Sequence, residues 1–464
     1  MEIARWWSIV ERRPAARGYY LAQAQYIVTT LFHIFITTDF IAASMTSLET
    51  TFKQDPKLAA AINNLCRSQA TQIDITETVT LPERKLRFNE VQDLLKQSSR
   101  TNAPIIINDS RKLAIKKIED ILSDINKSAE NGSTPKLIIR NQKLWSNCIY
   151  DLDRVTLKSF NQAKKTILTY SRAEDKTRFN TIVFVLTKVH ELLSKNMSVT
   201  RRELFYQNVA RLRNQANLDV AVRDVCCLLE TPPWSLGIMA TSKGLIAGPL
   251  KLHYRNGGVV DCMASGGVLI PQDITGIVEF QTTAKYILVV EKDAIFQKLL
   301  DEGALVRLRP VIIITGKGYP DVSTRQLLCR LCTEIRLRAL ALVDADPHGY
   351  EIFLTYKYGS LAQSHLSASL ACTSLVLLGA RHSDIMTLAP NETRLTLTER
   401  DIRKLQSLIK RPYLDTSVGV KIKDELEIML SSGIKAEIEA LAPTAAALCD
   451  AYIPSKIIKD CYLG

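Results

Sequence analysis

Between residues 179 and 193 the apolar positions Phe179, Ile182, Val183, Leu186, Val189 and Leu193 recur at steps of three and four, which is the spacing of one buried helix face. The pattern predicts a first helix there. In "SVTRRELF" the Thr200 and Glu203 pair has the spacing of a capping box, so a second helix is predicted to start at Arg201. A third fits "LDVAVRDVCCLLE", residues 218 to 230, and stops at Pro232 and Pro233. Two strand-like runs follow, "SLGIMAT" and "LKLHYR", around a "SKGLIAG" turn, and read as a β-hairpin. Three helices and a hairpin in that order form the layout of a winged helix, a DNA-binding module.

The second half of the chain has a different rhythm. "KYILVVEKD", "PVIIITGKG" and "RALALVDADPHG" are continuous apolar runs that end in polar residues, separated by helix-like segments at 294 to 302 and 322 to 335. Such alternation predicts an α/β domain with a mostly parallel sheet covered on both faces. The loop signal "ENGSTPK" at 130 to 136 closes a helical or partly flexible preface over residues 45 to 135. The expected organisation is therefore that preface, a winged-helix domain over 136 to 260, and an α/β domain with C-terminal helices over 275 to 464. From Gly18 to Thr38 no charged residue occurs, but Gln23, Gln25, Thr29, Thr30, His33, Thr37 and Thr38 dilute the run, so no membrane span is expected. Residues 1 to 44 are read as an extension or as sequence upstream of a start at Met45.

Composition narrows the partners. The 464 residues are 46% hydrophobic and 23% charged, the balance of a globular chain, which excludes wholesale disorder. A net charge of +12 favours a polyanionic partner. Residues 197 to 255 agree, with eight Lys or Arg against four Asp or Glu. The ten cysteines form no disulfide ladder, which points to a reducing compartment. "CRLC" has CxxC spacing without a second pair, so Cys329 and Cys332 are read as structural.

Ligands of parallel sheets bind at the carboxyl ends of the strands. Glu291, Asp293, Lys317, Asp344 and Asp346 stand at those ends here. Three converging carboxylates, Glu291, Asp344 and Asp346, suit Mg²⁺ and do not suit zinc; the bland reading is solvated loop acids or helix caps. "GKG" at 316 to 318 offers amides and Lys317 to a phosphate, although no Walker A motif is present. Tyr206 stays open at this point between a packing ring and a nucleophile. A phenol is mostly protonated at neutral pH and needs help to attack phosphorus. Arg202, four residues earlier on the same helix face, could hold the phosphate.

"RRELFYQN", "TSKGLIAGPL", "VVEKDAIFQKLL", "GKGYPD", "LVDADPHGYEIFLTYKYGS" and "LIKRPY" occur in that order, and together, over roughly residues 175 to 463, they resemble the topoisomerase VI A-subunit family. The likeness is greatest to its eukaryotic branch, which makes meiotic double-strand breaks. The resemblance implies a winged-helix domain with a catalytic tyrosine followed by a Toprim domain that binds Mg²⁺. Tyr206 would become joined to the 5′ phosphate of DNA with Arg202 assisting. Glu291, Asp344 and Asp346 would be the metal ligands, and Lys243, expected at the hairpin tip, would contact DNA together with Arg201 and Lys317. It also implies a homodimer with composite sites acting on double-stranded DNA in the nucleus, alongside meiotic accessory proteins and a topoisomerase VI B-like subunit. His348 departs from the family, where many members carry an aromatic residue after the DxDP proline; a solvent-facing or packed ring is expected. Against this stand a non-cleaving DNA-binding scaffold, a Toprim nuclease or primase, and a religating topoisomerase subunit.

Overall fold

The computed structural model describes residues 103–150 and 154–464, with the side chains of 103–109 left aside. The apolar stretch near the start, the Met45 question and most of the expected preface lie outside the described residues. Helix α1, Ala103–Glu130, precedes strand β1, Lys136–Arg140, which pairs antiparallel with β2, Lys165–Thr169. Helix α2, Ala173–Lys195, buries Phe179, Ile182, Leu186, Val189 and Leu193, as the periodicity predicts. After β3, Val199–Thr200, helix α3 runs Arg201–Tyr206, and its capping box is formed: Glu203 N donates to Thr200 Oγ1 at 3.1 Å and Thr200 N to Glu203 Oε2 at 3.4 Å. Helix α4, Gln215–Leu229, starts three residues earlier than expected because Asn214 caps it, accepting from Asn217 N. Strand β4, Ile238–Met239, lies parallel to β3. A hydrophobic cluster runs from Ala114 to Ile238 through α1, α2 and α4.

The hairpin expected next does not form. Its first run holds β4, which pairs with β3, its second is strand β6, Leu250–Tyr254, in another sheet, and the expected turn itself contains strand β5, Leu245–Ala247, of a third. The reason is apolar burial: Ile246 and Ala247 are fully buried and gain more inside a core than on an exposed wing. Gly248 makes the break, at φ +134° and so close to Val311 O that a Cβ would stand 2.6 Å from it.

Strands β6, β7 (Val259–Asp261) and β9 (Ile277–Thr282) form an antiparallel sheet. The principal sheet contains β5, β8 (Val268–Leu269), β10 (Tyr286–Val290), β11 (Val311–Thr315), β12 (Arg338–Leu342) and β13 (Leu375–Gly379), in the order β8-β5-β11-β10-β12-β13. The last four are mutually parallel and the first two antiparallel, so the sheet is mixed. Every residue of β11 and β13 is buried, which explains the continuous apolar runs. Helices α5 (Asp293–Asp301), α6 (Val322–Glu334) and α7 (Pro347–Lys357) are the connections. Cys329 and Cys332 are buried on α6, and no disulfide forms among the described residues. Helices α8 (Glu399–Ile409) and α9 (Val420–Ser432) lie towards the C-terminus.

Candidate active site

Strands β10 and β12 are adjacent and parallel, in register from Tyr286↔Arg338 to Val290↔Leu342, so their carboxyl ends leave the sheet side by side. Glu291 follows one and Asp344 the other. Asp344 N donates to Glu291 Oε2 at 2.8 Å, and Asp344 Oδ1 accepts from Ile438 N at 2.9 Å. Asp346 caps α7 by accepting from Gly349 N at 2.6 Å, with Pro347 in the first turn. Glu291 and Asp344 are 8% and 5% exposed. Burial first, and then the neighbouring Asp344, push the Glu291 carboxyl up to about 8. Burial also raises Asp344 to about 6, against the pull of the Ile438 amide and Lys292.

The three acids share a sheet edge but do not close into a ligand set: no group of three His, Cys, Asp or Glu side chains converges on a metal position among the described residues. Each carboxylate instead holds a protein partner. The donor chemistry still fits a hard divalent cation, since crowded buried carboxylates with raised proton affinity are relieved by positive charge.

That charge is partly supplied by Lys292, which the sequence pattern did not mark. Lys292 Nζ lies 3.0 Å from Asp344 Oδ2, 3.3 Å from Glu437 Oε2 and 3.5 Å from Glu439 Oε2. Its position beside Glu291 was the available signal. Glu437 and Glu439 had none, being brought in by the Ala345–Ala436 bridge from a distant segment. Gly349 carried no signal either: a Cβ there would clash with Asp344 O and stand 2.9 Å from both Asp344 N and Glu291 Oε2.

Tyr206 ends α3 and is 71% exposed. It lines a groove of about 620 Å³ with Arg201, Arg202, Phe205, Asp219, Thr241 and Asp321 among its walls. None of the three sheet-edge acids lines that groove. Arg202 is exposed, one turn behind the phenol. Arg201 is half-buried and 3.5 Å from Asp219 Oδ1.

The remaining expected contacts are tethered. Lys243 is not at a hairpin tip: its N donates to Asp321 Oδ2 at 2.9 Å and its Nζ to Lys317 O at 3.1 Å. The Lys317 and Gly318 amides of "GKG" are already engaged: Lys317 N donates to Thr315 Oγ1 and Gly318 N to Glu291 O. Lys317 Nζ pairs with Asp293 Oδ2 at 3.0 Å. His348 is exposed, its Nδ1 3.1 Å from Tyr319 Oη.

A mixed sheet with this acidic carboxyl edge belongs to a recognised class. Residues 286–457 match the Toprim domain of the topoisomerase 6 A-subunit/Spo11 family, and residues 177–238 match Type IIB DNA topoisomerase. The chain is 37% identical over 343 residues to the mouse Meiotic recombination protein SPO11, covering 73% of this chain and 86% of the mouse protein. It is 38% identical to the Drosophila melanogaster Meiotic recombination protein W68, over 64% of this chain and 87% of that protein. Against the DNA topoisomerase 6 A-subunit of Arabidopsis thaliana it is 35% identical, over 68% of this chain and 74% of the plant protein. The chain belongs to the topoisomerase 6 A-subunit/Spo11 family.

Proposed function

We infer that this chain forms meiotic DNA double-strand breaks as a topoisomerase VI A-like protein, with Tyr206 as its nucleophile. The phenol oxygen bonds to a backbone phosphorus as the bond from phosphorus to the 3′ oxygen breaks. The phenol loses its proton, the 3′ oxygen ends as a hydroxyl, and the 5′ phosphate stays on Tyr206. Arg202, one helical turn back, holds the phosphate oxygens. Glu291, Asp344 and Asp346 of a second copy would hold Mg²⁺, which supplies stabilisation of charge on the leaving oxygen. The observation that carries the reading is an exposed phenol on a capped helix, over a groove that none of Glu291, Asp344 and Asp346 of its own chain lines.

The helix order α2, α3, α4 with the β1/β2 ribbon supports reading the first hydrophobic cluster as a winged-helix-like DNA-binding module. We draw its border near residue 240, because Leu245–Tyr254 packs with the second module. Lys243, Arg201 and Lys317 border the tyrosine groove or the adjoining loop, where duplex DNA would pass. The proposed assembly is a homodimer with accessory proteins and a B-type subunit on meiotic chromosomes in the nucleus. No described helix is long and apolar enough to cross a membrane. The meiotic reading is favoured over a religating topoisomerase subunit because the mouse SPO11 protein is covered more fully than the plant topoisomerase subunit, 86% against 74%.

The test is to trap the protein on DNA under denaturing conditions. Wild type with its partners is expected to yield covalent adducts and Tyr206→Phe none. Adducts that persist in the variant remove Tyr206 as nucleophile.

A further inference from the structure

Behind α3 lies a cavity of about 250 Å³ lined by Arg201, Asp219, Arg223, Ser360, Gln363 and His365 among others. Two of its side chains carry buried polar atoms without a hydrogen-bond partner: Nε of Arg201, and both ring nitrogens of His365. Arg201 meets Asp219 only at 3.5 Å. The Arg223 guanidinium, on α4, forms no hydrogen bond or ion pair among the described residues. Gln363 Oε1 is already used, accepting from Arg325 at 2.6 Å.

Unpartnered polar atoms in a polar cavity imply water or a bound ion. The lining decides between them. Two guanidiniums face one carboxylate, and burial, helped by Arg140 and Arg223, holds the His365 ring down at about 4, so at neutral pH it is uncharged and offers one N–H. The walls are thus rich in donors, poor in free acceptors and net positive. A tetrahedral oxyanion has many lone pairs and binds guanidinium forks in paired contacts, which water does not match. The volume, about 250 Å³, is below the roughly 300–1,000 Å³ usual for cofactor sites and suits a small ion.

We propose that this cavity between the two modules is a binding site for a phosphate-class oxyanion, held by Arg201, Arg223 and His365. Arg201 and Asp219 line both this cavity and the Tyr206 groove. An occupant therefore fixes the base of the nucleophile helix from behind.

The site is tested by equilibrium dialysis of the full chain against radiolabelled inorganic phosphate at constant ionic strength. Saturable binding of one phosphate per chain is expected, weakened about tenfold by Arg223→Gln or His365→Asn through loss of a direct contact. Displacement by added duplex DNA assigns the bound group to a backbone phosphate; retention assigns it to the free ion. No saturable binding by folded wild type, or equal binding by both variants, overturns the proposal. It is independent of the cleavage reading, because Tyr206→Phe loses adducts and keeps phosphate binding.

Discussion

Glu291 shows how one side chain carries the tension of the site. Its carboxyl is buried beside Asp344, and its raised proton affinity means that the folded state binds this proton more tightly than the unfolded one. The stability it contributes is therefore present below the ordinary glutamate range and is lost as pH rises to about 8. Asp344 acts in the same direction up to about 6. In metal-free protein the melting temperature is expected to fall between these limits, less in Glu291→Gln, and added magnesium should flatten the wild-type slope. A thermal-shift series across pH with and without chelator measures all three. Gly349→Ala forces the Asp344 carbonyl or the Glu291 carboxylate to move. An expected loss of about 1–3 kcal/mol, as for overpacking, comes with weaker magnesium binding by titration; an unchanged titration would show that the acids do not need this close approach.

At the scale of elements, a helix of six residues is too short to be stable by itself. Its start is fixed by the reciprocal Thr200 and Glu203 bonds and its middle by the buried Leu204. Thr200→Ala should cost about 1 kcal/mol in denaturant unfolding and lower adduct yield while leaving DNA affinity nearly unchanged. Loss of stability without loss of yield would mean that the cap does not position Tyr206. The element the sequence misplaced is β5. "LIA" next to glycines reads locally as a hairpin tip, yet its partner is β11, more than sixty residues later, and no local pattern encodes that pairing. Strand β13 went unread for a related reason: "LVLLG" is apolar throughout, and only the sheet order distinguishes a fourth parallel strand from a buried helix segment.

For the whole molecule, the absence of Glu291, Asp344 and Asp346 from the tyrosine groove has a consequence that mixing experiments can read. Tyr206→Phe and Glu291→Gln chains should each be inactive alone. Mixed dimers would hold one intact composite site and one doubly defective site, so they are expected to nick one strand without breaking both. No nicking by the mixture would place nucleophile and acids in the same chain. Such a separation would tie cutting to dimerisation, and a net charge of +12 favours a polyanionic partner.

The sequence by itself determined the elements with a local cause: the α2 face, the α3 capping box, the proline stop after α4, and the buried strands that end in Glu291 and Asp344. Those signals are periodicity, capping and composition, each complete within a few residues. It also marked Tyr206, Glu291, Asp344 and Asp346 as candidates, because their motifs are contiguous. Only the tertiary structure decided which strands pair with β5, that the Lys317 and Gly318 amides are spent on Thr315 and Glu291, and that Lys292 is held among Asp344, Glu437 and Glu439. Those outcomes depend on groups far apart in the chain competing for the same hydrogen bonds and charges, a competition settled only once the sheet has brought them together.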